Sequence, residues 1–229
     1  MIETKNLTKI YNPGKPNEVV AIKDANVKIE DGSIVVLRGP SGCGKTTLLS
    51  MLGLILTPTY GSIIIDGEDV TKYSDYWKTT FRRYNIGFIF QHINLLPQYS
   101  ALENALIPHL CRDVDVFKEY KQRALEWFEK FKVLDRAHHL VEQLSGGEQQ
   151  RVALVRALIT DPKYILADEP TVFVDEETSQ IIREVFLELR DQGKCIVVAT
   201  HDPRLAEIAD KTYIFGRGVI VKEVRGASL

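Results

Sequence analysis

Residues 33–47 decide the fold, and they read SIVVLRGPSGCGKTT. The first part is a short run of β-branched residues, which is typical of a strand buried on both faces. The second part matches the pattern G-x-x-x-x-G-K-[ST] and leads into a helical run. In such a loop the glycines let backbone N–H groups converge on phosphate oxygens at a helix N-terminus. The stretch therefore predicts a strand, a phosphate-binding loop and a helix, in that order.

The predicted loop also supplies two side chains that suit a nucleotide. Lys45 would place a positive charge near the β and γ phosphates, and the Thr46 hydroxyl would ligate Mg²⁺. We expect the nucleotide to contact the following residues of the loop: Gly39, Pro40, Ser41, Gly42, Cys43, Gly44, Lys45 and Thr46.

Further strand-like runs indicate an α/β fold. They are rich in β-branched residues and lie at residues 33–37, 62–65, 86–90, 164–167 and 195–199. Between the last two runs, apolar residues recur at helical spacing (Ile182, Val185, Phe186 and Leu189), and Gly193 provides a stop signal. A strand, a helix and a strand in this order predict a parallel sheet.

Two other regions have a different pattern. Asp31-Gly32 and Asp66-Gly67 predict turns of antiparallel hairpins, in a small β lobe beside the main sheet. From about residue 94 to residue 143 the strand signal disappears, which predicts an inserted helical lobe. One face of an amphipathic helix there is traced by Phe117, Tyr120, Ala124, Phe128 and Phe131, and we expect this face to pack into the core.

Composition excludes several classes of protein. With 229 residues, 45% hydrophobic and 26% charged, the chain fits one soluble globular domain, and its net charge of −2 gives no sign of nucleic-acid binding. The longest apolar run, residues 48–56, is far shorter than the roughly 20 residues that cross a bilayer. The first residues lack the apolar segment of a secretory signal, so we expect a cytoplasmic protein. The odd number of cysteines predicts free, buried thiols at Cys43, Cys111 and Cys195.

A second motif lies at the end of the run 164–167, where Asp168 and Glu169 follow directly. In nucleotide hydrolases with this type of loop, an aspartate at such a strand end holds Mg²⁺. The adjacent Glu169 would lie on the other face of the strand end. It is therefore suited to act as the general base toward a water molecule.

A third motif, residues 144–151, reads LSGGEQQR. Ser145 is a typical helix N-cap, and apolar residues continue at helical spacing after it. Gly146 and Gly147 would expose backbone N–H groups, which makes this a second possible anion-binding helix N-terminus. In isolation, a plain capping motif explains the same residues.

Together these motifs resemble the ATP-binding subunit of ABC transporters, in the same order and at comparable separations over nearly the whole chain. The resemblance implies an α/β, P-loop NTPase (RecA-like) fold: a parallel-sheet core with an antiparallel β lobe and an inserted α-helical lobe. It implies a single ABC ATPase domain over residues 1–229. The core with its β lobe would occupy about 1–93 and 144–229, and the helical lobe about 94–143.

The resemblance also implies roles for single residues. Tyr11 would stack on adenine, Gln91 would contact Mg²⁺ and sense the γ-phosphate, and His201 would be the switch histidine. Asp175 would belong to the D-loop. The resemblance extends the phosphate loop to Thr47. The other implied sets are Lys45, Gln91, Glu169 and His201 for catalysis, Thr46, Gln91 and Asp168 for the metal, and Ser145, Gly146, Gly147 and Glu148 for the signature motif that binds ATP.

A narrower resemblance lies in residues 11–19, 90–97 and 101–104. They are similar to the subgroup of lipoprotein-releasing and macrolide-exporting ATPases, with the cell-division ABC ATPase as a near relative. The chain departs from this subgroup at Val172-Phe173-Val174, where small and polar residues are expected before Asp175. The sequence therefore does not decide the geometry of the D-loop.

The function implied by the resemblance is ATP hydrolysis, with ATP and Mg²⁺, in a head-to-tail homodimer. The dimer would drive an integral-membrane permease at the inner face of the cell membrane, docked beside Gln91 and the helical lobe. Two alternatives stay open: a soluble ABC ATPase of an assembly system, or a cell-division ABC ATPase. A regulator that only binds nucleotide is disfavoured, because Lys45, Asp168, Glu169 and His201 are all present.

Overall fold

The computed structural model describes residues 1–110, 113–172 and 174–226. Its strands are β1 (Ile2–Tyr11), β2 (Val19–Ala25), β3 (Lys28–Ile29), β4 (Ile34–Arg38), β5 (Tyr60–Ile65), β6 (Glu68–Asp69), β7 (Ile86–Ile89), β8 (Tyr164–Asp168), β9 (Cys195–Ala199), β10 (Lys211–Gly216) and β11 (Val219–Arg225). Its α-helices are α1 (Lys45–Leu52), α2 (Asp75–Asn85), α3 (Ala101–Leu106), α4 (Val114–Lys130), α5 (Gly146–Leu158), α6 (Glu176–Asp191) and α7 (Pro203–Glu207). Short 3₁₀ helices cover Ile107–His109, Leu134–Arg136 and Val141–Gln143.

The main sheet has the strand order β11-β10-β4-β9-β8-β7. All neighbours from β10 to β7 are parallel, and β11 pairs antiparallel with β10. The predicted parallel sheet is therefore confirmed, and β8, α6 and β9 form the predicted strand–helix–strand unit. Because the parallel strands run in one direction, the carboxyl ends of β4, β8 and β9 meet at one edge.

The main sheet is buried on both faces. In β4, Ile34 and Val36 belong to the core formed with α3 to α6, while Val35 and Leu37 belong to the core formed with α1 and the second sheet. Successive side chains of a strand point to opposite faces, so a continuous apolar run is what such a strand requires. This is why four of the five strand-like runs predicted strands of the main sheet correctly. The fifth run, residues 62–65, lies in β5 of the second sheet, where burial alternates along the strand.

A second, largely antiparallel sheet has the order β2-β1-β5-β6, with β3 also paired to β1. Asp66-Gly67 joins β5 to its antiparallel partner β6, so this predicted hairpin is confirmed. The predicted hairpin at Asp31-Gly32 is wrong, because this turn leads from β3 in the second sheet to β4 in the main sheet. The Gly32 N–H donates to the Gly193 carbonyl oxygen at 3.1 Å, so the turn is held by the loop after α6.

The segment between β7 and α5 contains α3 and α4, as the missing strand signal predicted. On α4 and just after it, Ala124, Phe128 and Phe131 are fully buried, and Phe117 and Tyr120 pack against the same core. The aromatic face of α4 is thus core. Helix α2 was not predicted from the sequence, because its inner side is formed by the partly buried rings of Trp77 and Phe81 and by the buried Lys78, rather than by aliphatic residues at a clear spacing.

Cys43 and Cys195 are free and buried, as predicted. Cys111 and Phe173, on which further predictions rest, lie outside the described residues. Within the parts of the chain that the structure describes, no helix combines the length and apolar character needed to cross a bilayer.

Candidate active site

A cleft of about 630 Å³ opens at the edge where the carboxyl ends of β4, β8 and β9 meet. It is lined by Tyr11, Val19, Val20, Ala21, Ser41, Gly42, Gly44, Lys45, Thr46, Thr47, Gln91, Asp168, Glu169, Val172, His201, Arg217 and Gly218. The structure therefore brings together residues that lie far apart in the sequence. Of the loop residues expected to contact the nucleotide, Gly39, Pro40 and Cys43 do not line this cleft.

The loop between β4 and α1 has a backbone that requires glycine at two places. Gly44, the N-cap of α1, has φ +104°, and a Cβ atom there would lie 2.5 Å from the Ala21 carbonyl oxygen. A Cβ atom on Gly39 would lie 2.5 Å from the Phe215 carbonyl oxygen. Both contacts are too short for any other residue. The loop therefore curls closely over the sheet edge, with the N-terminus of α1 facing the cleft.

Lys45 is the buried cation of the cleft. Its Nζ donates to the carbonyl oxygens of Gly39 at 2.7 Å and Pro40 at 3.2 Å, and lies 3.4 Å from Nε2 of His201. These neutral acceptors hold the ammonium at the loop. A phosphate would offer a stronger, charge-assisted interaction at the same place.

Asp168 is the last residue of β8 and is almost fully buried. Burial raises the pKa of its carboxyl, while a hydrogen bond with Thr46 and the charge of Lys45 act in the opposite direction. A hydroxyl beside a buried carboxylate is the type of oxygen donor set that Mg²⁺ takes, and the cation would offset the cost of burying the charge. The amide of Gln91 lines the same cleft. These residues fit a magnesium ion.

Glu169 follows with a left-handed backbone, φ +48°, and its N–H donates to the Ala199 carbonyl oxygen at 2.8 Å. One carboxylate oxygen, Oε2, accepts hydrogen bonds from Thr200 Oγ1 at 3.2 Å and from the backbone N–H of His201 at 3.3 Å. The other oxygen, Oε1, lies 3.5 Å from Nε2 of His201. The carboxylate is thus held at the cleft by groups at the end of β9.

Ser145 begins α5 as its N-cap, as predicted. Its hydroxyl accepts from the Glu148 N–H at 3.3 Å, and Glu148 accepts from the Ser145 N–H at 2.7 Å, so the two residues form a capping box. Arg136 donates to Glu148 Oε1 at 2.8 Å and holds the pKa of Glu148 at about 2. None of the four signature residues lines the cleft.

Asp175 also caps a helix: its side chain accepts from the Thr178 N–H at 2.7 Å at the start of α6. Several residues that line or support the site were not predicted from the sequence, among them Thr200, Arg217 and Arg136. Thr200 follows directly after β9 and precedes His201, and nothing in the local sequence indicates its contact with Glu169. Arg217 follows an apolar run and precedes a glycine, which indicates a turn but not the cleft it faces. Arg136 has no local signal.

Known proteins are similar to this chain over nearly its whole length. A family model described as ABC transporter matches residues 22–172. The ABC transporter ATP-binding protein YvrO of Bacillus subtilis is 40% identical over 99% of this chain and 98% of its own length. The lipoprotein-releasing system ATP-binding protein LolD of Bacteroides thetaiotaomicron is 41% identical over 97% of this chain and 100% of its own.

Solved structures agree with the sequence relatives. The dimeric structure of the ABC transporter cassette MJ0796, a protein of Methanocaldococcus jannaschii, has a TM-score of 0.90 at 37% identity and covers 98% of both chains. A dimeric post-hydrolysis structure of the same cassette, bound to ADP and Pi, has a TM-score of 0.89 at 35% identity and the same coverage. The chain therefore belongs to the ABC transporter family, as an ATP-hydrolysing cassette with the P-loop NTPase fold.

Proposed function

We propose that the chain is the ATPase subunit of a membrane exporter and works as a head-to-tail dimer. One observation carries the proposal: the cleft gathers Lys45, Asp168 and Glu169 around the phosphate loop, while the signature helix N-terminus at Ser145 lies outside it. A complete site then needs a second copy of the chain. The dimeric structures of the relative MJ0796 support this arrangement.

Nucleotide binding would follow from the shape of the cleft. Tyr11 would stack on the base at one end, and the N–H groups of the phosphate loop would bind the phosphates at the other. Lys45 would exchange its contacts with loop carbonyls for the β- and γ-phosphate oxygens. In the dimer, the N–H groups of Gly146 and Gly147 of the partner subunit would approach the γ-phosphate from the opposite side. A Cβ atom at either glycine would have no neighbour within 4 Å, so their backbones are open to a ligand.

Hydrolysis would rest on Glu169. Its carboxylate, oriented by Thr200 and the His201 N–H, would accept the proton of the attacking water. His201 lies beside both Glu169 and Lys45, so its side chain would contact the γ-phosphate. Thr46, Asp168 and Gln91 would hold Mg²⁺. The ion would neutralise charge on the β- and γ-phosphate oxygens.

The permease would dock in a second groove of about 430 Å³, beside the ATP cleft. Its walls include Arg82, Arg83, Phe88, Phe90 and Arg156. Phe90 faces this groove while the next residue, Gln91, lines the ATP cleft, so one short segment contacts both sites. Closure of the dimer around ATP would thereby be transmitted to the permease. The subunit would then be cytoplasmic and peripheral on the inner face of the membrane.

The cargo would be of the lipoprotein or macrolide type. The similarity to lipoprotein-releasing ATP-binding proteins of several bacteria supports this class. It agrees with the subgroup motifs in residues 11–19 and 90–97.

The test compares two variants in ATP binding and in phosphate release. Glu169→Gln keeps the shape and loses the base, so it should bind ATP normally and hydrolyse it at least a hundredfold more slowly, within the usual contribution of a general base of about 10²–10⁴. Lys45→Ala should lose affinity for ATP itself. Glu142→Gln, an exposed carboxylate outside the cleft, is the matched control and should change neither. Wild-type turnover in Glu169→Gln would refute the assignment of the base.

A further inference from the structure

Arg217 lines the ATP cleft, and nothing in the proposed mechanism uses it. The residue forms the turn between β10 and β11 and has a left-handed backbone, φ +50°. Its side chain is exposed, and its guanidinium has no hydrogen-bond or ion-pair partner in the part of the chain that the structure describes. A free, permanently charged group thus stands at the wall of an anion-binding cleft.

The turn that carries Arg217 is fixed on the body of the protein. The Gly218 carbonyl oxygen accepts the Lys23 N–H at 2.8 Å, and a Cβ atom on Gly218 would lie 2.9 Å from the Ala21 carbonyl oxygen. The same Ala21 oxygen packs against Gly44 of the phosphate loop. The backbone of Ala21 therefore lies between the β10–β11 turn and the phosphate loop and is close to both. Arg217, in that turn, lies beside the phosphate loop.

Tyr11 lies on the same side of the cleft as Ala21 and Arg217. Tyr11 pairs with Val19 across β1 and β2, and Ala21 lies two residues farther along β2. Two residues of a strand span about 7 Å. Arg217 thus lies between the aromatic ring proposed to hold the base and the loop proposed to hold the terminal phosphates. A nucleotide that spans these two points would place its ribose and α-phosphate between them.

The charges of the cleft support the same placement. Asp168 at the carboxyl end of β8 and Glu169 directly after it are the acidic side chains among the described residues that line the cleft. Lys45 is engaged with loop carbonyls. Arg217 is the other cationic side chain among the described residues that line the cleft. Its planar, five-donor guanidinium suits phosphate oxygens and hydroxyl groups.

We propose that Arg217 binds the α-phosphate and ribose of the nucleotide, the part that ATP and ADP share. The inference rests on the proposed function, since it assumes that this cleft is the ATP site. A contact to a shared, non-reacting part contributes equally to the ground state and the transition state. Arg217 therefore sets the affinity for the nucleotide and leaves the rate of the chemical step unchanged.

The experiment measures ATP and ADP affinity of Arg217→Ala by calorimetry, with steady-state hydrolysis of ATP alongside. We expect affinity for both nucleotides to fall about fivefold, and KM for ATP to rise by the same factor with kcat unchanged. Arg217→Lys should keep part of the affinity, because it retains the charge. Arg225→Ala removes an exposed arginine from the same hairpin outside the cleft, and should bind both nucleotides like the wild type.

Two results would overturn the inference. Unchanged affinity in Arg217→Ala, with an unchanged melting temperature, would show that the guanidinium does not touch the nucleotide. A loss confined to ATP would place the contact at the γ-phosphate instead. Lys45→Ala separates this failure from failure of the proposed site: if Lys45→Ala weakens binding and Arg217→Ala does not, only the inference on Arg217 is wrong. If neither weakens binding, the nucleotide site itself is wrong.

Discussion

Replacing Thr200 by valine tests how the candidate base is held. Thr200 is fully buried, and its hydroxyl makes two hydrogen bonds: it donates to Glu169 Oε2 at 3.2 Å and accepts the Asp202 N–H at 3.0 Å. Valine keeps the branched shape and removes both bonds. Glu169 then keeps the His201 N–H as its hydrogen-bond donor at Oε2. We therefore expect the carboxylate to lose its fixed orientation.

The magnitude follows from the two bonds. A hydrogen bond to a charged group contributes about 1.5–3 kcal/mol and a neutral one about 1 kcal/mol. Part of this loss is offset because a methyl group replaces a buried hydroxyl. A net loss of about 2 kcal/mol lowers the melting temperature of a chain of this size by roughly 4–8 °C. A misplaced base lowers kcat by about tenfold to a hundredfold.

The assay is ATP hydrolysis at saturating and limiting ATP, with thermal unfolding of the same samples. Thr200 does not line the cleft, so KM for ATP should stay unchanged while kcat falls. Thr200→Ser keeps the hydroxyl and should restore kcat even if its melting temperature is lowered by the lost methyl group. A Thr200→Val protein that unfolds earlier but hydrolyses ATP at the wild-type kcat would refute the positioning role.

Two further predictions concern the loop and the signature helix. Gly44→Ala would place a Cβ atom 2.5 Å from the Ala21 carbonyl oxygen and distort the phosphate loop. ATP affinity measured by calorimetry should therefore fall at least about tenfold. Gly67→Ala is the control and should bind ATP normally, because Gly67 has a similar positive φ and a Cβ atom there would have no described neighbour within 4 Å. Arg136→Ala should lower the free energy of unfolding only slightly at neutral pH, because Arg136 is 40% exposed and solvent screens its ion pair with Glu148. Since the hydrogen bond from Arg136, together with those from Ser145, lowers the pKa of Glu148 from 4.5 to about 2, the contribution of Arg136 is present above pH 4.5 and is lost as the pH falls toward 2. An equal stability difference at pH 3 and pH 7 in thermal unfolding would contradict the assignment.

The parts of the site that could be predicted from the sequence are those fixed by local spacing. The phosphate loop is such a part, because its glycines, lysine and threonine all lie in the short connection between β4 and α1 and at the first residues of that helix. The carboxylates at the end of β8 are another, since a strand buried on both faces places polar residues only where it ends. The capping box of Ser145 and Glu148 is set within four residues.

The parts that could not be predicted depend on contacts between distant segments. Asp31-Gly32 has the composition of a hairpin turn, yet its composition does not decide which sheet the next strand joins. Arg217 reaches the cleft only because the β10–β11 turn packs on Ala21. Arg136 stabilises the signature helix from a 3₁₀ helix twelve residues away. In each case the pairing of segments, rather than any local pattern, sets the role.

The central claim, that two chains complete each ATP site, is tested most directly by the molar mass of Glu169→Gln in solution. Size-exclusion chromatography with light scattering in ATP and without Mg²⁺ should give a dimer, and a monomer when ATP is omitted. Adding Gly147→Glu to this variant should keep it monomeric, since the side chain has open space within one chain and would block only the partner's nucleotide. A Glu169→Gln protein that binds ATP and stays monomeric would contradict the account.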